Sequence, residues 1–215
     1  MGENINTERS FRFDWFSHHT GYWPEALKRF EGKDSLNFME LGVFEGRATT
    51  YLLDNYLKDS KGSKIVCIDT FKGTPGEHDK EDLSSLLDTF KRNVRGYEDK
   101  VQIHVGKTKD ILLLPEVRSE KYDLIYVDAC HLAKEVLEDM VFSFGLLKPG
   151  GLMIIDDYLW PSPNDVYNKH PAGIPYLGIE SFLKCYVGRY NLLWQSYQVC
   201  IEKLGDELEH VPRNN

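Results

Sequence analysis

The sequence predicts an α/β fold, with a mostly parallel sheet covered by helices on both faces. Three observations carry this expectation. Short apolar runs recur at 36–41, 64–69, 101–105, 122–128 and 151–156. Stretches with helical spacing separate them. Most of the runs are too continuously apolar for a strand with one wet face, which is the pattern of parallel strands joined by helical crossovers.

The elements follow in order. Pro24 stands where a helix can start, and Glu25, Ala26, Leu27 and Phe30 carry it to a stop at Gly32. Residues 36–41 form a first strand closed by Gly42. Leu52, Leu53, Tyr56 and Leu57 mark the helix behind it. Residues 64–69 are the second strand. Between 81 and 95, Leu83, Leu86, Leu87, Phe90 and Val94 line one face of an amphipathic helix. Residues 101–105 are the third strand, and a short helix broken near Pro115 follows. Residues 122–128 make the most apolar strand. The next helix carries Val136, Leu137, Met140, Val141 and Phe144 and ends in the turn chemistry of 148–151. Residues 151–156 form strand five, 178–187 another helix, and 190–204 the last two strands, with no strong turn signal between them.

A length of 215 residues suits one domain at about 150 residues per domain. We read 1–32 as an aromatic-rich cap, 33–205 as the domain and 206–215 as a polar tail. The 34 acidic side chains outnumber the 26 basic ones, a net charge of −8. That sign, with no basic-aromatic stripe, argues against a nucleic-acid partner. The longest uncharged apolar stretch, Met140 to Leu147, falls far short of the ~20 residues that span a bilayer. The polar N-terminus shows no secretory signal. Cys67, Cys130, Cys185 and Cys200 form no CxxC pair and read as reduced, mostly buried thiols of a cytoplasmic protein.

Ligands of open α/β sheets bind beyond the carboxyl ends of the strands. Here those ends carry Glu40, Asp69, Asp128 and the pair Asp156–Asp157. One such acid reads equally well as a solvated loop residue or a helix cap. Four strand ends together would crowd negative charge on one rim unless a cation or hydrogen-bond donors sit between them.

Two motifs resemble a known family. Residues 40–46, Glu-Leu-Gly-Val-Phe-Glu-Gly, resemble the glycine-rich first motif of class I S-adenosylmethionine-dependent methyltransferases. The glycines let the backbone turn tightly beside a ligand, and the helix N-terminus behind them favours an anionic group. The dinucleotide motif G-x-G-x-x-G is absent. The second motif, Tyr126–His131 with 146–158, resembles the metal-dependent O-methyltransferases, in particular the macrocin O-methyltransferase-like group, which methylates sugar hydroxyls. The resemblance covers roughly residues 36–200.

The resemblance implies a Rossmann-like three-layer sandwich with a seven-stranded, mostly parallel sheet and a C-terminal antiparallel strand. It implies S-adenosylmethionine bound by Glu40, Gly42, Gly46, Thr49, Asp69 at the ribose, Gly106, Lys107 and Thr108 near the adenine, and Asp128. It implies a metal trio of Asp128, Asp156 and Asp157. Oxygen-only ligands fit Mg2+ or Ca2+ better than zinc, with Mn2+ a further option. His131 and Asp128 are the catalytic candidates, His131 as general base for a hydroxyl. The other readings of His131 are a cap on the following helix or a bond to a neighbouring carboxylate. Ala129-Cys130 departs from the family's commoner Gly-Asp or Gly-Ser.

The expected function is S-adenosylmethionine- and Mg2+-dependent methyl transfer to a hydroxyl of a small molecule, a sugar or glycan first. The alternatives are a catechol, phenol or natural-product acceptor, or a non-catalytic cofactor-binding module. The N-terminal aromatics Phe11, Phe13, Trp15, Phe16, Tyr22 and Trp23, with segment 158–178, are candidate pocket walls, and core or dimer packing is the competing role of Trp15 and Trp23. His18–His19 reads as surface, and the oligomeric state stays open, with a homodimer among the options.

Overall fold

The computed structural model describes residues 9–74, 78, 80–161 and 171–205. The expected tail 206–215, the first eight residues of the cap, and 162–170 of the expected pocket wall lie outside them.

Seven strands form one sheet: β1 (Asn37–Leu41), β2 (Lys64–Asp69), β3 (Val101–Val105), β4 (Tyr122–Val127), β5 (Leu147–Ile155), β6 (Tyr190–Gln195) and β7 (Val199–Lys203). Their spatial order is β3-β2-β1-β4-β5-β7-β6. The first five pair in parallel, and β7 runs against both of its neighbours. This is the expected sandwich with its C-terminal antiparallel strand.

Alternation along the strands fills two cores. Phe38, Ile65, Leu124, Tyr126 and Ile154 face one way, against Trp23 of α1 (Trp23–Leu27), Leu52 of α2 (Arg47–Leu52) and Phe90 of α3 (Leu86–Asn93). Met39, Leu41, Ile68, Ile125 and Met153 face the other. There they meet Leu112, just past α4 (Thr108–Ile111), and Val117 of α5 (Pro115–Arg118). Met140 of α6 (Ala133–Phe144) and Phe182 of α7 (Pro175–Cys185) complete that layer. Gly178 lets α7 approach α6 closely, since a Cβ there would lie 2.2 Å from the Ala133 carbonyl oxygen.

Three local readings change, and the turn between the last strands, open in the sequence, is located. The helix after β4 ends at Phe144, and the Lys148–Gly151 turn lies inside β5 as an irregularity opposite Tyr122–Leu124. The Tyr122 N–H bonds the Leu146 carbonyl at 2.9 Å and draws the chain onto the sheet early. α3 starts at Leu86, with Leu83 in the turn before it. The turn between the last strands falls at Ser196–Gln198. Only Cys67 and Cys200 are buried, whereas Cys130 is half-buried and Cys185 exposed, so burial of the thiols was overestimated.

The N-terminal segment does not stand apart. Trp23 is fully buried in the first core and Phe16 packs edge-on against it at 5.0 Å. Arg9 pairs with Asp54 and Arg12 with Glu45, which ties the N-terminal segment to the loop and the helical stretch that follow β1.

Candidate active site

The sheet changes direction of winding between β1 and β4, and a crevice opens above that point. Registers Leu41↔Ile68, Leu41↔Val127 and Val127↔Ile155 level the strand ends into one rim. A cleft of about 320 Å³ sits there.

The glycine loop forms one wall. Gly42 has φ +80°, and a Cβ on it would fall 1.9 Å from the Asp128 carbonyl oxygen. Only glycine lets the ends of β1 and β4 come this close. Gly46, at φ +85°, precedes α2. Asp69 holds the loop between them. Its Oδ2 accepts the N–H groups of Val43 and Phe44 at 2.8 and 2.9 Å, and its Oδ1 that of Phe71 at 2.7 Å. A carboxylate has about four lone-pair sites, so Asp69 retains acceptor capacity toward the cleft.

Glu40 lies at the floor, buried, and accepts the Thr49 hydroxyl at 2.7 Å. Burial pushes its carboxyl up to about 8, with the Asp69 charge adding to the effect. A cationic ligand group would reverse that, so the floor fits a positively charged cofactor. Gly106, Lys107 and Thr108 line the far end. The Thr108 hydroxyl donates to Asp139, whose carboxyl is pushed up to about 7, chiefly by burial. Of the expected cofactor residues, Glu40, Gly42, Asp69, Gly106, Lys107, Thr108 and Asp128 line the cleft. Thr49 stands buried behind Glu40, and Gly46 packs toward Phe90.

The roof is aromatic. Phe13 and Trp15 stack at 4.9 Å, and Trp15 lies 5.1 Å from Phe44 and 5.9 Å from His78. All four line the cleft. These N-terminal rings thus cover the loop that follows β1.

At the other edge Asp128, His131 and Asp157 meet, each offering a ligand atom within 4.8 Å of the others. His131 Nε2 lies 2.9 Å from Asp157 Oδ2. The bond to a carboxylate is therefore formed, while the N-cap of α6 is Leu132 and has no side-chain cap bond. Trp160 leans over the His131 ring at 4.6 Å. Burial, then Asp156 and Asp157, hold the Asp128 carboxyl well above the usual range. The two crowded carboxylates, Asp128 and Asp157, are oxygen donors that fit a hard divalent cation, and the imidazole beside them, a donor suited to softer metals, is left for proton transfer.

The structure does not bring Asp156 into that set. Its Oδ1 accepts the Asp157 N–H at 2.8 Å. Its Oδ2 takes the Tyr126 hydroxyl and the Gln198 amide, the latter at 3.0 Å. Asp156 continues the alternation of Ile154 and so turns toward the Tyr126 face, leaving Asp157 to face His131. Sequence reasoning missed Tyr126, Asp139, Tyr197 and Gln198. A tyrosine two residues before Asp128 in the most apolar strand was a legible signal, but the other three depend on contacts across the fold. His19, read as surface, stacks on Tyr197 at 3.7 Å, while His18 is exposed.

Residues 39–158 match the model of a family described as a methyltransferase domain. The chain belongs to this family. Among curated proteins, this methyltransferase-domain chain is 24% identical to "Uncharacterized protein R132" of Acanthamoeba polyphaga mimivirus over 144 residues. That match covers 66% of this chain and 60% of the mimivirus protein. Among solved structures it is similar to an O-methyltransferase from Bacillus cereus in complex with SAH, with a TM-score of 0.63 and 17% identity over 90% of this chain and 84% of that one. It is also similar to the MycE methyltransferase of the mycinamycin biosynthetic pathway in complex with Mg, SAH and mycinamycin VI. There the TM-score is 0.64 and the identity 16%, over 94% of this chain and 53% of that one. At such identities the structural likeness establishes the fold. No described helix is long and apolar enough to cross a membrane.

Proposed function

We propose that this chain is an S-adenosylmethionine-dependent O-methyltransferase that uses a divalent cation, Mg2+ first, to methylate a hydroxyl of a small molecule. The observation that carries the reading is the meeting of Asp128, His131 and Asp157 beside the cleft that Glu40, Gly42 and Asp69 form. Asp128 and Asp157 would hold the cation, with Mn2+ or Ca2+ as alternatives. Asp69 would accept the ribose hydroxyls, and Gly106, Lys107 and Thr108 would border the adenine. S-adenosylmethionine, when bound, supplies a methyl group on a positively charged sulfur, and the cation lowers the pKa of an acceptor hydroxyl.

The chain's own groups do the rest. His131 takes the hydroxyl proton, and the Asp157 carboxylate 2.9 Å away stabilises the imidazolium that forms. A placed base of this kind contributes about 10²–10⁴-fold. Alignment of the oxygen with the methyl carbon supplies most of the remaining acceleration. Trp160, tilted over His131, offers an aromatic face against which a sugar ring or a phenol can lie. A sugar acceptor is favoured by the Asp128-to-His131 spacing, and four free cysteines suit a reducing cytoplasm.

The test is methyl transfer from labelled S-adenosylmethionine to a panel of sugars, sugar-bearing natural products and catechols, with and without EDTA. Turnover should vanish with chelation and return with Mg2+. Turnover unchanged by EDTA, or unchanged in Asp128→Asn, would remove the cation from the reading.

A further inference from the structure

The turn between β6 and β7 lies against the carboxylate cluster, and the antiparallel register explains why. β5 and β7 pair Ile155 with Val199. Continued past the strand ends, that register sets Asp156 opposite Gln198 and Asp157 opposite Tyr197. Both cross-strand pairs are bonded. Gln198 Nε2 donates to Asp156 at 3.0 Å, and the Tyr197 hydroxyl donates to Asp157 Oδ1 at 2.9 Å. The Tyr158 N–H bonds the Tyr197 carbonyl at 2.9 Å, which ties the turn to the residue after Asp157.

Tyr197 is itself held in place. The His19 ring, delivered by the N-terminal segment, lies on it at 3.7 Å with 5° between the planes. Asp157 needs such support. It is not a glycine, yet its φ is +60°, and its side chain leaves the end of β5 half-buried, 15% exposed. A carboxylate has free rotation about its last bond, and the hydroxyl removes that freedom by occupying one oxygen. The other oxygen is the one beside His131. Partners behind a ligand in this way typically change metal affinity or activity about 10–100-fold when removed.

We propose that Tyr197 is a positioning residue of the cation site. Its hydroxyl takes one oxygen of Asp157, so that the second is presented to Asp128, His131 and the ion. This rests on the cation reading given above.

Mn2+ serves as the probe because its free-ion spin-resonance signal disappears on binding. Full-length wild type and Tyr197→Phe are titrated with Mn2+, and SAH affinity is measured on the same samples. Tyr197→Phe removes one oxygen and keeps the ring on His19. The expected result is an Mn2+ Kd raised about 10-fold, with SAH affinity within two-fold of wild type. A second variant, Tyr197→Leu, removes the ring as well as the hydroxyl and should weaken Mn2+ binding at least as much as Tyr197→Phe. Equal Mn2+ affinity in wild type and Tyr197→Phe overturns the inference. So does a loss confined to Tyr197→Leu, which points to packing in place of the hydrogen bond. Absence of Mn2+ binding by wild type is a separate outcome, which overturns the cation reading and the inference with it.

Discussion

Gly42→Ala is the sharpest test of how the cleft is built. The new methyl would sit 1.9 Å from the Asp128 carbonyl oxygen and 2.6 Å from the Ala129 Cα, both backbone atoms. Neither can swing aside, so β1 and β4 must part at their carboxyl ends. The left-handed φ of +80° adds a backbone penalty of about 1–2 kcal/mol for an L residue. Overpacking adds about 1–3 kcal/mol more, for a total of about 2–5 kcal/mol. In a chain of this size 1 kcal/mol moves Tm by about 2–4 °C, so the variant should melt about 10 °C lower. Parting the strands also moves Asp128 from the loop, so SAH affinity should fall at least about ten-fold, which corresponds to 1.4 kcal/mol. Gly46→Ala is the control. Its φ of +85° carries the same strain, but its methyl would meet the Phe90 ring at 2.9 Å and no backbone. It should cost about half as much. Thermal melts and SAH calorimetry on both variants decide the matter. Equal losses at the two positions, or normal SAH binding by Gly42→Ala, would refute the argument that backbone approach dictates this glycine.

Trp15→Ala should weaken SAH binding about 2–10-fold by removing a ring from the roof, an aromatic contact worth about 0.5–1.5 kcal/mol. Since Trp15 is 54% exposed, Tm should barely change, and a fall in Tm with unchanged SAH affinity would assign the ring to stability alone. Stability should fall as pH rises from 5 to 8. Glu40 and Asp139 are raised by burial to about 8 and about 7, so the folded state holds protons that the unfolded chain has released above about pH 4.5. Urea melts of Glu40→Gln should show a flatter profile over that window, and a slope identical to wild type counts against the buried acid. Asp128→Asn should relieve like-charge crowding, leaving the metal-free protein as stable as wild type or about 1 kcal/mol more so. The same variant should lose any rise in Tm caused by Mg2+, and a rise retained in full would place the ion elsewhere.

How much was legible follows from which interactions are local. The strands of residues 64–69 and 122–128 could be read because both faces are buried, which requires continuous apolar residues. The break near Pro115 could be read because proline lacks the donor that a helix needs. The end of α6 could not, because the Tyr122–Leu146 bond that draws the chain into β5 joins segments far apart in sequence. The turn at Ser196–Gln198 carries no glycine or proline, and its position is imposed by the pairing of β7 between β5 and β6. The glycine-loop side of the cleft was largely readable, since glycines and carboxylates at strand ends are a local pattern. The carboxylate edge was readable in composition but not in orientation.

The sequence by itself determined the layered α/β architecture, the glycine loop and the rim on which Glu40, Asp69, Asp128, Asp156 and Asp157 stand. Strand periodicity and backbone strain act within a few residues, so they are written locally. Only the tertiary structure decided that Asp156 turns to Tyr126 and Gln198 while Asp157 faces His131, and that Trp15 covers the cleft as Trp23 fills the core. Those outcomes depend on the register of an antiparallel strand added last and on where the N-terminal segment crosses the sheet. Both are set by packing between parts of the chain that no local pattern connects.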